Sequence, residues 1–325
     1  MIARPLGRTG YTVSEIGFGA WGIGGAMWQG GDDDAALAAL HAAFDLGVTL
    51  VDTALAYGDG HSERLVGRAV ALRREKIVVA TKIPPADRVW PALPGTTLAQ
   101  VFSADYVARS AETSAANLGR PVDILQFHVW RDEWLNEPEW KKVERVLGGL
   151  IQRGVVRHVG ISNTEHDPAS ALEAVRHCDL IETLQVIYNI FDQSPERALL
   201  PACRERNVGV IVRVPFDEGG LTGAIKPGVA FPPGDWRQRY FRDDRPAEVA
   251  RRVERLRPVL LREADTLAEG ALRFCLSHPA VGTVIAGMRT ATHARANCAV
   301  SDGRKLSPGL LHELKEHGWE RNYYE

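Results

Sequence analysis

Four polar side chains stand where three consecutive strand-like segments end, and their types suit proton transfer. Asp52 and Tyr57 follow the first of these apolar segments, Lys82 closes the second, and His128 closes the third. In a parallel barrel the carboxyl ends of the strands converge on one face, which is the face that carries chemistry. The sequence therefore predicts an enzyme whose general acid is Tyr57.

Each of these residues also has an ordinary structural explanation. Asp52 suits a helix cap or a salt bridge, Tyr57 a surface position, Lys82 a solvated strand end, and His128 a hydrogen-bonded place in the core. Any one of them alone is weak evidence of a site. The four together, in this order on successive strands, favour the catalytic interpretation.

Strand-like and helix-like segments alternate along almost the whole chain. Such alternation is typical of parallel strands joined by crossover helices, and it predicts a (β/α)8 TIM barrel. The alternative is an open doubly wound sheet, but no glycine fingerprint follows the first strand. The predicted strands are 16–19, 48–51, 77–81, 123–127, 155–161, 183–187, 208–212 and 282–286, and the predicted helices are one capped by 32–34 and then 62–72, 104–118, 139–153, 168–176, 195–206, 260–277 and 292–300.

The segments outside this alternation are expected to shape the two ends of the barrel. Residues 1–15 have the pattern of an N-terminal β-hairpin. Residues 84–103 and 214–245 follow strands and are irregular, so we expect extended loops on the C-terminal face, where long loops are usually functional. The tail, 307–325, holds a short helix and then aromatic residues that pack over the site or against a neighbouring subunit. No linker interrupts the pattern, so the sequence predicts a single domain over 1–325.

The composition is that of an ordinary soluble globular protein, with 45% hydrophobic and 25% charged residues. The 39 basic and 41 acidic residues nearly cancel, which gives no reason to expect nucleic acid or a membrane as a partner. The cysteines are widely spaced and form no CxxC pair, so we expect reduced thiols and no metal site. No signal peptide or membrane-spanning run is visible. We expect a cytoplasmic protein, a monomer or a homo-oligomer, that acts on a small molecule.

The four polar residues belong to motifs that resemble those of the aldo-keto reductase superfamily. The motifs occur in the family order, and the resemblance covers nearly the whole chain. It implies a (β/α)8 barrel that reduces aldehydes or ketones with NADPH, or in some members with NADH. The matching motifs are Val51-Asp52-Thr53 with Tyr57-Gly58, Val79-Ala80-Thr81-Lys82, Asp123-Ile124-Leu125-Gln126-Phe127-His128, and Gly160-Ile161-Ser162-Asn163.

Carbonyl reduction requires a hydride on carbon and a proton on oxygen, and the four residues suit the second requirement. A phenol has an ordinary pKa of about 10 and is a poor acid at neutral pH. An ammonium beside Tyr57 would stabilise the phenolate and ease the loss of its proton. Lys82 is the candidate ammonium, Asp52 would hold it in a buried ion pair, and His128 would orient and polarise the carbonyl.

The resemblance also implies residues that bind the nicotinamide and the pyrophosphate of the cofactor. Ser162 and Asn163 match the family's clamp for the carboxamide, with Gln185 as a third partner, and Tyr188 stands where a ring would stack on the nicotinamide. Beyond the next strand, one segment resembles the part of the family that folds over the pyrophosphate. Its candidate residues are Arg213, which could equally form a strand-end salt bridge, and Pro215, Gly220, Leu221 and Gly223.

The segment implied to hold the adenosine departs furthest from the family. Many members have a lysine where Gly287 stands and an arginine where His293 stands. Arg289 could still bind a 2′-phosphate at the following helix N-terminus, and Asn297 completes the candidate set. We therefore expect NADPH as the cofactor and keep NADH as the alternative.

Aromatic residues in the loops after the strands are candidate walls of the substrate pocket. They are Trp21, Trp28, Trp90 and Trp130, and Arg131 beside the last of them could attract a negative substrate group or face water. A small aldehyde or ketone, including a sugar or its phosphate, would suit such walls. Two other functions stay open, a cofactor-binding regulatory or redox-sensing subunit and a Schiff-base aldolase with Lys82 as nucleophile.

Overall fold

A closed barrel of eight parallel strands forms the centre of the molecule, as the computed structural model shows for residues 1–25 and 32–324. Each barrel strand pairs with its neighbours in sequence, and the last pairs with the first, so the sheet has no free edge. The predicted (β/α)8 barrel and the antiparallel N-terminal hairpin are both confirmed. The hairpin strands are β1 (Ala3–Pro5) and β2 (Thr12–Ser14), and the barrel strands are β3 (Ile16–Gly19), β4 (Leu50–Asp52), β5 (Val78–Ile83), β6 (Val122–Phe127), β7 (Val156–Ser162), β8 (Ile181–Ile187), β9 (Gly209–Arg213) and β10 (Val281–Gly287).

Helices surround the barrel and pack their apolar faces on the outward side of the strands. Among the described residues none of them is long and apolar enough to cross a membrane. The helices are α1 (Asp33–Asp45), α2 (His61–Ala71), α3 (Leu98–Phe102), α4 (Ala104–Leu118), α5 (Pro138–Gln152), α6 (Leu172–His177), α7 (Leu199–Glu205), α8 (Arg237–Tyr240), α9 (Arg245–Leu260), α10 (Leu267–Ser277), α11 (Ala291–Ala299) and α12 (Pro308–Leu314).

The main difference from the predicted elements lies before β10. The sequence predicted one helix over 260–277, but α9 ends at Leu260 and α10 begins only at Leu267. Thr266 explains the break, because its side chain accepts a hydrogen bond from the Glu269 amide at 3.0 Å and so caps a new helix. The long loops also contain short helices, namely α3 in 84–103 and α8 in 214–245.

The barrel interior is apolar at one end and polar at the other. Side chains along a barrel strand point alternately inward and outward. At the amino ends of the strands the inward side chains are apolar, and Leu6 and Tyr11 from the N-terminal segment pack onto them. The inward side chains nearer the carboxyl ends are polar and at most 2% exposed, namely Asp52, Lys82, Gln126 and Gln185. The hairpin therefore covers one end of the barrel, and the polar layer faces the other.

Candidate active site

Lys82 is the centre of the polar layer because its ammonium contacts three oxygen atoms. Its Nζ donates to Oδ2 of Asp52 at 2.5 Å, to the carbonyl oxygen of Thr53 at 2.9 Å, and to the Tyr57 hydroxyl at 3.3 Å. Since an ammonium has three donors, every one of them is used. Burial by itself lowers the pKa of Lys82, but Asp52 and Tyr57 outweigh it and the pKa is raised. The ammonium is therefore charged and fixed beside the phenol.

Tyr57 retains its proton at neutral pH in this setting. Burial raises the pKa of Tyr57 above its ordinary value of 10, and the charge of Lys82 opposes this shift without cancelling it. The argument from the sequence considered only the ammonium, so it missed the larger effect of desolvation. A protonated phenol is the form that a general acid needs. The contribution of Lys82 is then to stabilise the phenolate that proton transfer leaves behind.

His128 directly follows β6 and faces the Tyr57 ring edge-on, with 5.8 Å between the ring centroids. Its Nδ1 is buried and has no hydrogen-bond partner among the described residues. Burial lowers the pKa of His128 well below 6.5, and the positive charges of Lys82, Arg213 and Arg88 lower it further. The ring is therefore neutral and has a free polar atom beside the phenol.

The depressed pKa of His128 predicts a specific loss of stability in acid. Between the folded pKa and about 6.5, the unfolded chain binds a proton at this histidine and the folded chain does not, so the free energy of unfolding falls as pH is lowered. In His128→Gln this contribution is absent. Between about pH 8 and pH 5 the free energy of unfolding should therefore fall more for the wild type than for His128→Gln, as measured by urea unfolding. The gap between the two free energies should change with pH. A gap of constant size would contradict the assignment.

Asp52 has further partners that the sequence did not predict. Its Oδ1 accepts from Nε2 of Gln185 at 2.7 Å and from Nε2 of Gln126 at 3.4 Å. Gln126 was overlooked, although a polar residue inside the apolar segment of β6 was a visible signal. These bonds fix the carboxylate of Asp52, which in turn fixes Lys82. They also occupy the side-chain amide nitrogen of Gln185.

Two of the expected tryptophans lie beside the candidate catalytic residues. Trp21 is 6.3 Å from the Tyr57 ring and Trp90 is 5.6 Å from the His128 ring, measured between centroids. Both are partly exposed. They can therefore line a binding site beside the phenol and the imidazole. Trp28 lies outside the described residues.

A third aromatic group joins Trp236, which the sequence did not single out, to Tyr324 of the tail, whose aromatic residues were expected to pack. Trp236, in the long loop 214–245, packs 4.9 Å from Trp21, and Tyr324 from the tail stacks on Trp236 at 5.6 Å with nearly parallel rings. Through these two contacts the tail lies near Trp21, consistent with the expectation that its aromatic residues pack over the site. Nothing local in the sequence signals this pairing, because the two rings are far apart in the chain.

Trp130 contributes to the core, not to the pocket wall that the sequence suggested. It is 0% exposed, and its ring packs between Phe127, Trp134 and Trp140 at centroid distances from 5.3 to 5.7 Å. Arg131 beside it donates to the carbonyl oxygen of Ala92 at 3.4 Å and pairs with Glu133 at 3.3 Å. A fully buried indole cannot touch a substrate without local unfolding.

We expect Trp130→Ala to lower the free energy of unfolding by about 3–5 kcal/mol, because it removes a large side chain from a packed cluster. Trp21→Ala, which removes a partly exposed indole, should cost clearly less. Guanidinium unfolding of both variants measures the difference. If Trp130→Ala were as stable as Trp21→Ala, the aromatic cluster would not be a packing core.

The residues that the resemblance implies for a carboxamide clamp are buried at the end of β7, and one of their polar atoms has no partner among the described residues. Ser162 ends β7, and both it and Asn163 are 2% exposed. The side-chain Nδ2 of Asn163 donates to the carbonyl oxygen of Asp167 at 3.1 Å, whereas its Oδ1 is buried without a partner in the part of the chain that the structure describes. A buried acceptor of this kind normally has a donor, and the carboxamide NH₂ of a nicotinamide would supply one. The residues present therefore fit this group.

Tyr188 does not lie at the place that the resemblance implies for it. It is 2% exposed, its hydroxyl donates to Glu196 at 2.6 Å, and its ring packs on Phe274 and His278. Gln185 points into the barrel, and three residues later the strand alternation turns the side chain outward. Tyr188 is thus a core residue between β8 and α10, and it does not flank the site that the resemblance implies for the nicotinamide.

The implied pyrophosphate segment, 213–223, is a tight loop held by the tail. Between Asp217 and Thr222 the backbone makes two short turns separated by a kink, and Asp217, Glu218 and Gly219 all have positive φ. Pro215, Gly220 and Leu221 are buried, and Gly223 caps the turn.

Two tail residues fasten this loop. Arg321 pairs with Asp217 at 2.5 Å, and Tyr324 donates to Glu218 at 2.5 Å. Burial raises the pKa of Glu218 to about 7. The loop is therefore strained and its conformation depends on the tail.

The implied adenosine residues surround the end of β10 and the start of α11. Arg289 packs so closely on Gly22 that a Cβ there would lie 3.0 Å from it. Thr290 caps α11 by accepting from the amide of His293, which is itself exposed, and Asn297 donates to the carbonyl oxygen of Gly287 at 3.3 Å. An exposed helix N-terminus beside an arginine can bind a phosphate. No group of three metal-ligating side chains occurs in residues 1–25 or 32–324.

Comparison with known proteins gives evidence about the family of this chain that is independent of the geometry of the site. The model of the Aldo/keto reductase family matches residues 15–318. Aldo-keto reductase YhdN of Bacillus subtilis is 29% identical over 332 aligned positions, covering 99% of this chain and 90% of that protein. The NADH-specific methylglyoxal reductase of Escherichia coli is 29% identical, covering 91% and 92%. The structure of a glycerol dehydrogenase from Gluconobacter oxydans superposes with a TM-score of 0.79 at 27% identity, covering 97% of this chain and 94% of that one.

Proposed function

The chain belongs to the Aldo/keto reductase family of NAD(P)-dependent oxidoreductases, and from this premise we propose that it reduces a small aldehyde or ketone to the alcohol with NADPH and takes the proton from Tyr57. The observation that carries the proposal is the ammonium of Lys82, 3.3 Å from the Tyr57 hydroxyl and fixed by Asp52. When bound, the reduced nicotinamide supplies the hydride.

The side chains around the phenol supply the rest of the chemistry. Tyr57 donates its proton to the carbonyl oxygen as negative charge develops there, and Lys82 stabilises the phenolate that results. His128 stays neutral and offers one N–H to the same oxygen, which orients the carbonyl. The aldolase alternative is less suited to this geometry, because the three donors of Lys82 are all engaged and its raised pKa keeps the amine protonated and non-nucleophilic.

The substrate class follows from the walls of the pocket. Trp21 lies beside Tyr57, Trp90 lies beside His128, and Trp236 packs on Trp21. Such aromatic walls accept planar or apolar carbonyl compounds and also stack on sugar faces. The preference for NADPH is supported by Arg289 beside the start of α11, where a 2′-phosphate would meet a guanidinium and free backbone amides.

The test is an assay of the purified protein with a panel of small aldehydes, ketones and aldoses, and with NADPH and NADH in parallel. We expect consumption of the reduced cofactor with some carbonyls and a higher kcat/KM for NADPH. Tight cofactor binding without turnover of any carbonyl would favour the regulatory-subunit alternative. Trapping of a substrate on Lys82 by borohydride would favour the aldolase. A higher kcat/KM with NADH would overturn the cofactor preference alone.

A further inference from the structure

Arg213 is a largely buried cation that the mechanism above does not use. It is the last residue of β9 and its side chain is 15% exposed. One guanidinium nitrogen donates to the carbonyl oxygen of Asn163 at 3.1 Å, so Arg213 lies against the residue whose orphaned amide oxygen fits a carboxamide. The register of the sheet also places it opposite Ile187 at the carboxyl end of β8. Arg213 is therefore at the barrel mouth, not on its outer wall.

The field of Arg213 also reaches the catalytic side of the mouth. Its charge lowers the pKa values of both Tyr57 and His128, although burial is the larger influence on each. Hydride transfer requires the nicotinamide carbon and the substrate carbon to approach within about 3–3.5 Å. A ring whose carboxamide is held at Asn163 must then extend toward the substrate at Tyr57. Arg213 contacts Asn163 and acts electrostatically on Tyr57, so it borders the space between them that the ring must occupy.

We propose that Arg213 makes this site bind the reduced dinucleotide more tightly than the oxidised one. The inference rests on the proposed function, since it requires a nicotinamide in the space that Arg213 borders. The oxidised ring carries a positive charge that the reduced ring lacks, whereas the phosphates and the adenosine are the same in both. A nearby cation in surroundings of low dielectric therefore raises the free energy of the oxidised complex alone. The oxidised product would leave readily, and the enzyme would be saturated by the reduced form.

The carboxylate that pairs with Arg213 neutralises it only weakly, so its positive charge can still act on a bound nicotinamide. Arg213 pairs with the carboxylate of Glu165 through a contact at 3.4 Å that lacks the bidentate geometry of a strong arginine pair. The Nε of Arg213 and the Oε2 of Glu165 are both buried without hydrogen-bond partners among residues 1–25 and 32–324. The other cation at the site, Lys82, is paired with Asp52 at 2.5 Å. Arg213 is thus the less neutralised of the two.

Isothermal titration calorimetry with NADPH and with NADP⁺ tests the proposal without any turnover. The quantity to measure is the ratio of the two dissociation constants, because contacts to the phosphates cancel in it. In Arg213→Gln we expect the ratio Kd(NADP⁺)/Kd(NADPH) to fall about tenfold, and Arg213→Lys, which retains the charge, should keep most of the wild-type ratio. Glu165→Gln removes the counter-charge and should raise the ratio. Glu165→Gln keeps the proposal testable if Arg213→Gln does not fold.

The possible outcomes separate this inference from the function on which it rests. If Arg213→Gln weakens both nucleotides equally, the arginine binds the pyrophosphate, as the sequence suggested, and the proposal is overturned. An unchanged ratio in either Arg213→Gln or Glu165→Gln also overturns it while leaving the proposed reductase intact. If the wild-type protein binds neither nucleotide, the proposed function fails and this inference fails with it.

Discussion

Replacement of Tyr57 by phenylalanine is expected to lower the rate of carbonyl reduction by a factor of about 10² to 10⁴, which is the usual contribution of a positioned general acid. The variant retains the ring and the aromatic contacts, and it loses only the hydroxyl that Lys82 contacts at 3.3 Å. Lys82 keeps its bonds to Asp52 and Thr53 and loses the partner of its third donor, so the fold should lose about 1–3 kcal/mol. Steady-state kcat with NADPH is the measurement.

A matched control exists in α4. The Tyr106 hydroxyl also makes one hydrogen bond, to the carbonyl oxygen of Pro84 at 3.0 Å, and Tyr106→Phe should therefore leave kcat unchanged. Calorimetric binding of NADPH should be the same in Tyr57→Phe and wild type. Turnover by Tyr57→Phe at the wild-type rate would show that another group donates the proton.

The raised pKa of Tyr57 adds a prediction about pH. Reduction requires the protonated phenol, so kcat/KM should stay constant through neutral pH and decline only above about pH 10, as the proton is lost. Oxidation of the alcohol requires the phenolate and should rise with pH in the same range. A decline of reduction between about pH 6 and 8 would show that burial does not dominate at this hydroxyl.

The barrel was predictable because its signal is local and repeated. The apolar spacing of α4 gave the bounds 104–118, which the structure matches, and strand and helix segments alternate too regularly for most other folds. The break before α10 was predictable in principle from Thr266 and Glu269, which have the spacing of a helix cap. It was missed because apolar residues continue at helical spacing on both sides of the break.

The positions of the four polar residues followed from chain order, whereas the direction of other side chains did not. Asp52, Lys82 and His128 end neighbouring parallel strands, and such ends must meet on one face. Whether a residue just beyond a strand turns toward that face depends on the pleat and on the path of the loop. Tyr188 and Trp130 both turn into the core for this reason.

Contacts between distant segments were the part that no local pattern could predict. Trp236 meets Trp21 and Tyr324 only because two loops and the tail converge above the barrel. The same holds for the bond from Gln185 to Asp52, which joins opposite sides of the barrel interior. Such pairs depend on barrel closure, and a single sequence carries no periodic signal for them.

Lys82→Met is expected to damage both stability and catalysis, since one ammonium serves both. Removal of the cation leaves the Asp52 carboxylate, whose side chain is 3% exposed, without its ionic partner. An unpaired charge buried in this way typically costs about 3–5 kcal/mol. The Tyr57 phenolate would also lose its stabilising charge, so turnover should fall by a factor of about 10² or more. Urea unfolding and steady-state kinetics measure the two losses separately.

The double variant Lys82→Met with Asp52→Asn separates the structural role of the lysine from its chemical role. A neutral asparagine removes the buried charge and can still bond to Gln185 and Gln126, so the double variant should recover most of the lost stability. Its turnover should stay as low as that of Lys82→Met, because no cation stands beside the phenol. If turnover returned together with stability, the lysine would matter only for folding, and the charge on Tyr57 during proton transfer would have to be stabilised by another group.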